Sequence, residues 1–186
     1  MCGIVGYIGK RNSLPILLEG LQSLEYRGYD SAGVAFLDRG AVKVVKTAGK
    51  IKDLKNILHK GPLPSSELGI AHTRWATHGA PTRANAHPHA DCDGNIVLVH
   101  NGIIENYLSL KKELLQDGHR FVSQTDTEVV VHLIEKYYQN DLMLAFLQAL
   151  NRLEGSFAVA LMAKDQPDKI LFARVGSPLV VGIGKG

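Results

Sequence analysis

The segment Val34-Ala35-Phe36-Leu37-Asp38-Arg39-Gly40-Ala41-Val42-Lys43-Val44-Val45-Lys46 decides the fold class. Residues 34–37 and 42–46 are rich in β-branched and aromatic side chains, so each run predicts a strand. Only the turn residues Asp38-Arg39-Gly40 separate the two runs, which leaves no room for a crossover helix. The segment therefore predicts an antiparallel hairpin.

The rest of the chain alternates short apolar runs with helical patterns. Further strands are predicted at residues 3–8, 68–74, 96–100, 156–163 and 169–173. Apolar side chains at helical spacing predict helices near residues 14–24, 52–60, 103–114, 128–137 and 142–153. Several strands follow one another with no helix between them. We therefore expect the α+β class, with antiparallel sheets and helices packed outside, rather than a doubly wound parallel sheet.

Helix ends carry signals of their own. Ser13 is the predicted N-cap of the first helix, Gly61-Pro62 is the predicted stop of the second, and Gly118 is the predicted C-cap of the third. Thr125 and Glu128, three positions apart, predict a capping box with Asp126 in the first turn of the helix. The run Asp165-Gln166-Pro167-Asp168 predicts the connection between the last two strands.

Composition limits the classes of function. The chain has 186 residues, which suits one domain, and its net charge of +3 (21 − 18) is too small and too scattered for nucleic acid. No apolar run approaches the roughly 18 residues that span a bilayer, so no membrane partner is expected. Two cysteines and the lack of a secretory pattern at the start predict a cytoplasmic protein. The glycine-rich end at 182–186 resembles a cut, so a longer native chain is expected.

Position 2 is the most unusual feature of the sequence. If Met1 is removed, Cys2 carries a thiol and a free α-amine on one residue. The amine has a reference pKa of roughly 7.7–8.0 and the thiol roughly 8.5, so the amine can accept the proton of the thiol near neutral pH. The alternative interpretation is an ordinary small side chain at the start of a strand.

Three further segments offer polar side chains. His72-Thr73-Arg74-Trp75-Ala76-Thr77-His78-Gly79 follows a strand, and an arginine at a strand end can bind a carboxylate. His100-Asn101-Gly102 ends another strand and offers two donors to an oxyanion, although Asn-Gly is also a common turn pair. Asp126 either complements the helix dipole or faces an ammonium group.

The sequence contains candidate metal ligands but no phosphate-binding motif. His87-Pro88-His89 lies near Asp91, Cys92 and Asp93, which are suitable ligand types. Their spacing matches no known zinc pattern, so no metal or other cofactor is predicted. The glycines never form a phosphate-binding loop.

Taken together, five segments resemble one family. They are Cys2-Gly3-Ile4-Val5-Gly6, Leu24-Glu25-Tyr26-Arg27-Gly28-Tyr29-Asp30-Ser31-Ala32-Gly33, the 72–79 segment, His100-Asn101-Gly102 and Thr125-Asp126-Thr127-Glu128. In this order they resemble the glutaminase (type 2 glutamine amidotransferase) domains of the glutamine–fructose-6-phosphate aminotransferases. The resemblance covers residues 1–186. It implies the N-terminal-nucleophile hydrolase fold, an αββα sandwich with two antiparallel sheets between helical layers.

The resemblance also implies roles for individual residues. Cys2 would be the nucleophile, and Asn101 with the Gly102 N–H would form the oxyanion hole. Arg74, Thr77 and His78 would hold the α-carboxylate of L-glutamine, and Asp126 its α-ammonium group. Trp75 would belong to a mobile lid. A supporting role is expected for Arg27, with Gly28 and Asp30, while Cys92 is expected to be structural filler.

The function implied is hydrolysis of L-glutamine to glutamate and ammonia. In the family this ammonia serves the synthesis of glucosamine 6-phosphate from fructose 6-phosphate, and the sugar isomerase domain is absent from this chain. The full-length enzyme is expected to be homo-oligomeric. Two alternatives stay open: an N-terminal-cysteine amidase that acts on another amide, and a non-catalytic binding module, in which His87, His89 and Cys92 could hold a metal.

Overall fold

A computed structural model describes residues 2–61 and 64–184. In these residues eight β-strands form two four-stranded antiparallel sheets, and five α-helices accompany them. The α+β prediction is therefore confirmed. The predictions that involve Met1, Pro62 and the last two residues lie outside the described part of the chain.

The first sheet has the strand order β1-β4-β2-β3. Its strands are β1 (Gly3–Ile8), β2 (Ser31–Asp38), β3 (Ala41–Ala48) and β4 (Leu68–Arg74). The predicted hairpin is confirmed as β2 and β3. Arg39 and Gly40 both have positive φ, +50° and +76°, which is the geometry of a two-residue type I′ turn.

The second sheet has the order β5-β6-β7-β8. Its strands are β5 (His89–Ala90), β6 (Ile96–Ile104), β7 (Gly155–Ala163) and β8 (Gln166–Val175). The two-residue strand β5 was not predicted. The connection before β8 is shorter than predicted, because Gln166, Pro167 and Asp168 already belong to the strand. Proline is tolerated there because β8 lies at the edge of the sheet.

Helices cover the outer faces of both sheets. The first sheet packs against α1 (Ser13–Ser23) and α2 (Ile51–Leu58), and a 3₁₀ turn (Glu25–Arg27) follows α1. The second sheet packs against α3 (Tyr107–Gln116), α4 (Glu128–Tyr137) and α5 (Leu142–Leu150). Among the described residues, no helix has the length and apolar character needed to cross a membrane.

The alternation of side chains along the strands produces three apolar layers. In β6, Ile96 and Leu98 pack toward α3–α5, whereas Val97 and Val99 pack toward the first sheet. In β2, Val34 packs toward α1 and α2 while Ala35 joins Val97 and Val99 between the sheets. Each inner strand thus buries both faces, which gives the predicted αββα arrangement.

Two predicted N-caps are wrong. Asn12, not Ser13, is the N-cap of α1, because its side chain accepts the N–H of Leu14 at 3.3 Å. At α4 the N-cap is Thr127 rather than Thr125, so Asp126 precedes the helix instead of lying in its first turn. The carboxylate of Glu128 accepts the backbone N–H groups of Val122 and Ser123, so no capping box forms there.

The Asn101-Gly102 pair is part of a strand, not of a turn. Strand β6 extends to Ile104, and Asn101 and Gly102 lie opposite Ala158 and Phe157 of β7. Ile103 therefore belongs to a strand rather than to the predicted helix, and α3 begins only at Tyr107. The helix ends with Asp117 as C-cap, and Gly118 follows it with a φ of +91°.

Candidate active site

A cavity of about 1220 Å³ opens where β1, β4 and β6 approach one another. Of the predicted site residues, eight line it: Cys2, Arg27, Arg74, Trp75, Thr77, Asn101, Gly102 and Asp126. His78 is not part of the lining, but it contacts Asp126. The lining also includes apolar side chains, among them Ile170, Phe172 and Val180. The sequence motifs therefore meet in one site.

The thiol of Cys2 lies against the backbone that follows β4. The N–H of Trp75 points at Cys2 Sγ, with 3.2 Å between the heavy atoms. Burial raises the pKa of the thiol, while the Trp75 N–H and the charge of Arg74 lower it less strongly. A thiol in this environment stays protonated near neutral pH, so a nucleophilic role requires a base.

The amide of Asn101 reaches Cys2 and is held from behind by His72. Asn101 Nδ2 donates to the carbonyl oxygen of Cys2 at 3.4 Å. His72 Nε2 lies 2.8 Å from Asn101 Oδ1 and 2.9 Å from the carbonyl oxygen of His100. Both neighbours are acceptors, so Nε2 carries the hydrogen. Burial lowers the pKa of His72 to about 3, which keeps the ring neutral. His72 thus fixes which end of the Asn101 amide faces Cys2.

Gly102 can only be glycine at its place in β6. Its φ is +121°, a conformation that other residues rarely adopt. A Cβ at this position would lie 2.1 Å from the carbonyl oxygen of Ser156 in β7. Strand β5 pairs with β6 only at Val97 and Leu98, so among the described residues no strand pairs with this edge of β6 at Gly102.

Arg74 ends β4 and organises the loop that follows. Its guanidinium group donates to the carbonyl oxygens of His78, Gly79 and Ala80, the latter two at 3.2 and 3.4 Å. The side chain is buried, and burial lowers its pKa, although the carboxylates of Asp30 and Asp126 oppose this effect. These bonds use three of the five N–H donors of the guanidinium.

Asp126 is buried directly before α4. Its Oδ2 accepts the N–H of Ile104 at 2.9 Å, which ties the carboxylate to the end of β6. Its Oδ1 lies 3.8 Å from His78 Nδ1. The ring of His78 also packs edge-on against Tyr107, 5.1 Å between centroids. The predicted pair of Arg74 and Asp126 therefore lies at one cavity, with opposite charges.

The lid and support residues surround Cys2. The Trp75 side chain is 53% exposed and packs on Gly28, where a Cβ would lie 2.8 Å from the indole ring. Thr77 is exposed beside the cavity. Asp30 accepts the N–H of Ala76 at 2.6 Å through Oδ2, which fixes the loop after Trp75. Arg27 lies in the 3₁₀ turn.

A buried histidine layer behind the site was missed by the sequence analysis. His87 Nε2 and His100 Nδ1 lie 3.1 and 2.8 Å from the hydroxyl of Thr127, and His89 Nε2 lies 3.1 Å from that of Thr125. Burial lowers the pKa of His100 to about 4 and those of His87 and His89 well below the usual value. The suggested grouping of His87 and His89 with Cys92 does not occur: their Nε2 atoms face threonine hydroxyls, while Cys92 lies beside His119 and His132.

The fold and the position of Cys2 define the class of protein. Two antiparallel sheets between helical layers, with a cysteine entering the first strand, form an N-terminal-nucleophile hydrolase fold. A solved B. subtilis glutamine phosphoribosylpyrophosphate amidotransferase has a TM-score of 0.75 and 27% identity, covering 88% of this chain and 35% of its own. A second structure, described as the allosteric regulatory enzyme of purine biosynthesis, has a TM-score of 0.76 and 28% identity. This match covers 88% of the present chain and 36% of the other.

The family follows from the sequence comparisons. A family profile described as "Glutamine amidotransferase domain" matches residues 72–182, and the chain belongs to this family. Glutamine–fructose-6-phosphate aminotransferases [isomerizing] from Caldanaerobacter subterraneus subsp. tengcongensis and Thermus thermophilus are 53% and 55% identical over 186 residues. These matches cover the whole chain but 30% of each relative, so the chain spans about 30% of their length.

Proposed function

We propose that this chain hydrolyses the side-chain amide of L-glutamine to glutamate and ammonia, with Cys2 as the nucleophile. The observation that carries the proposal is the 3.4 Å contact between the Asn101 amide and the Cys2 carbonyl group. It joins a nucleophile directly before β1 of one sheet to an oxyanion donor on β6 of the other. Family membership and the opposite charges of Arg74 and Asp126 at the same cavity support it.

Removal of Met1 prepares the nucleophile. The free α-amine of Cys2 then accepts the proton from Sγ, directly or through one water molecule. Burial raises the pKa of this thiol, so it does not ionise unaided near neutral pH. The neighbouring amine supplies the base that the buried thiol needs.

The reaction proceeds through a thioester. The thiolate attacks the δ-carbon of glutamine, and the negative charge on the carbonyl oxygen is stabilised by Asn101 Nδ2 and the Gly102 N–H. The α-ammonium group of Cys2 then donates its proton to the amide nitrogen of glutamine. The C–N bond breaks and ammonia leaves. Water, deprotonated by the amine, then attacks the thioester, and cleavage of the C–S bond releases glutamate and regenerates the thiol.

Substrate choice follows from the charges around the cavity. The remaining donors of Arg74 bind the α-carboxylate of glutamine, with Thr77 and His78 as further contacts, and Asp126 binds the α-ammonium group. A substrate with both free groups therefore binds in a single orientation. This pair of charges disfavours the alternative of an amidase for uncharged amides, and glutamine methyl ester and N-acetylglutamine should both be poor substrates.

In the longer protein we propose that the ammonia is used by a sugar-phosphate isomerase domain that follows residue 186. The similarity to these relatives supports this role, because they are aminotransferases that act on fructose 6-phosphate. The longer protein would make glucosamine 6-phosphate in the cytoplasm as a homo-oligomer. In this proposal the glutaminase step uses no metal or other cofactor.

Labelling with a glutamine analogue that carries an electrophile at the δ-position tests nucleophile and substrate together. We expect one adduct per chain on the Cys2 peptide by mass spectrometry, none on the Cys92 peptide, and protection by L-glutamine. The Cys2→Ser variant should neither react nor release ammonia. Adducts on Cys92 alone, or labelling that glutamine does not prevent, would reject the proposal.

A further inference from the structure

Cys92, to which the glutaminase proposal gives no role, belongs to a second cluster of reactive side chains. The cluster consists of Cys92, His119, His132 and Glu135, and its four ligand atoms all lie within 4.8 Å of one another. Cys92 lies in the turn between β5 and β6, His119 follows α3, and the other two belong to α4. We propose that this Cys92 cluster binds one Zn²⁺ ion, separate from the glutamine site.

The distances fit a tetrahedral zinc site. Cys92 Sγ lies 3.8 Å from His119 Nδ1 and 3.7 Å from His132 Nδ1. With Zn–S near 2.3 Å and Zn–N near 2.0–2.1 Å, a tetrahedron has a sulfur–nitrogen edge of about 3.6 Å. Glu135 Oε2 lies 2.8 Å from both Nδ1 atoms, about 0.5 Å shorter than the corresponding edge of roughly 3.3 Å. A small outward movement of Glu135 would therefore admit the ion.

The groups around the cluster match the usual surroundings of such a site. His132 is buried, and its other ring nitrogen, Nε2, lies 3.8 Å from the carboxylate of Glu128. This nitrogen has no hydrogen-bond partner among the described residues, and a shift of under about 1 Å would let it donate to Glu128, as a carboxylate commonly accepts from a histidine metal ligand. Glu128 is itself fixed by the backbone of Val122 and Ser123. The N–H of Arg120 donates to Cys92 Sγ at 3.4 Å, a bond that stabilises a thiolate.

Charge also favours a divalent cation. A thiolate and a carboxylate with two neutral imidazoles carry a charge of −2, which Zn²⁺ neutralises. Glu135 also lines a second cavity, of about 480 Å³, together with Asp91, Asp93 and Asp165. With Lys164 as the only cationic side chain among the described residues that line it, this cavity keeps an excess of negative charge beside the cluster, which attracts cations.

The proposed ion would join three separate pieces of the chain. It would link the turn before β6, the segment after α3 and the middle of α4, and α4 begins two residues after Asp126 of the glutamine site. Zn²⁺ therefore should stabilise the folded chain. At an ion concentration 100 times the dissociation constant, we expect Tm to rise by about 5–10 °C.

Cobalt titration tests the proposal directly. The Cys2→Ser variant is used as the background, because a free N-terminal cysteine could bind metal by itself. After removal of metals by chelation, we expect one Co²⁺ per chain, with tetrahedral d–d bands and a thiolate-to-cobalt charge-transfer band, and displacement by Zn²⁺. A chain that binds no Co²⁺, or binds it without the thiolate band, would overturn the proposal.

Variants separate this site from nonspecific binding. Cys92→Ser should abolish the charge-transfer band, and His119→Ala should weaken Co²⁺ binding more than tenfold, whereas His59→Ala at an exposed position should change nothing. Cys92 and His119 are only partly buried, so both variants are expected to fold, which circular dichroism checks. Equal binding by Cys92→Ser and its parent would reject the cluster as the site.

Discussion

His72 Nε2 lies 2.8 Å from Asn101 Oδ1, a hydrogen bond that connects the two sheets. His72 belongs to β4 of the first sheet and Asn101 to β6 of the second. Because the neutral His72 ring donates to Oδ1, the Nδ2 group of Asn101 has to point toward Cys2. His72 is thus a positioning residue that presents the proposed oxyanion donor.

Replacement of His72 should therefore impair turnover more than binding. We expect His72→Leu to lower kcat for glutamine by at least tenfold with little change in KM, because Asn101 loses its orientation. His72→Gln keeps an N–H near Nε2 and should recover most of this loss. Steady-state ammonia release measures both values, and a Leu variant with unchanged kcat, or a Gln variant as poor as Leu, contradicts the assignment.

Asn101→Ala should retain glutamine binding and lose most turnover. Loss of one oxyanion donor typically costs about 100–1,000-fold in rate. Calorimetric titration of glutamine and a kcat measurement separate the two effects. The matched control is Asn151→Ala, at the exposed C-terminal end of α5, which should behave like the parent chain. Unchanged kcat in Asn101→Ala would remove the residue from the oxyanion hole.

Arg74→Ala should mainly raise KM, because the proposed contact is to a part of glutamine that does not react. We expect an increase of more than tenfold. Arg74→Lys should not restore the parent KM, because lysine lacks the planar fork that reaches three loop carbonyl groups. Initial rates over a range of glutamine concentrations provide the measurement. A change confined to kcat would contradict carboxylate binding.

Gly102→Ala should destabilise the fold by about 2–6 kcal/mol, from backbone strain and overpacking together. The added methyl group would meet Ser156 at 2.1 Å in a backbone with φ of +121°. Gly94→Ala is the control, since Gly94 also has positive φ, +71°, but no neighbour within 4 Å of the added Cβ. Urea denaturation should show a much smaller loss for Gly94→Ala; equal losses would mean that the clash contributes nothing.

Stability should fall as the pH decreases below 6.5. Burial lowers the pKa of His72 to about 3 and that of His100 to about 4, so the unfolded chain binds more protons than the folded chain between these values and 6.5. At pH 5 each of these two histidines should lower the free energy of unfolding by about 2 kcal/mol relative to pH 6.5 or above. Urea denaturation at pH 7 and pH 5 measures the total, and His72→Gln should show a pH dependence smaller by about 2 kcal/mol. An identical pH dependence in the variant would contradict the neutral buried state.

The sequence patterns predicted elements best where burial repeats regularly. The bounds of β1 and β4 are as predicted, because the apolar run and the strand coincide. The strand pairing of Asn101 and Gly102 was not predicted, because the turn signal of Asn-Gly is local, whereas β7 imposes the pairing from 50 or more residues away. The capping box failed for a related reason: Glu128 is bound by the preceding segment, which no spacing rule reveals.

The sequence predicted the main residues of the candidate site but not the residues that hold them in position. Cys2, Arg74, Asn101 and Asp126 were named from their chemistry, and the cavity brings them together. The role of His72 was not predicted, because its hydrogen-bond partner Asn101 lies 29 positions away in sequence. The Cys92 cluster escaped for the same reason, since its members come from three elements whose proximity only folding creates.

Because Cys2 directly precedes β1 of one sheet and Asn101 lies on β6 of the other, the distance between them depends on the thickness of the core between the sheets. Ala35 is among the small side chains that separate the sheets, and it is completely buried. A leucine at this position would push the sheets apart and move the Asn101 amide away from Cys2 without touching glutamine. Catalysis in this fold therefore also limits the size of the side chains between the sheets, although the substrate never contacts them.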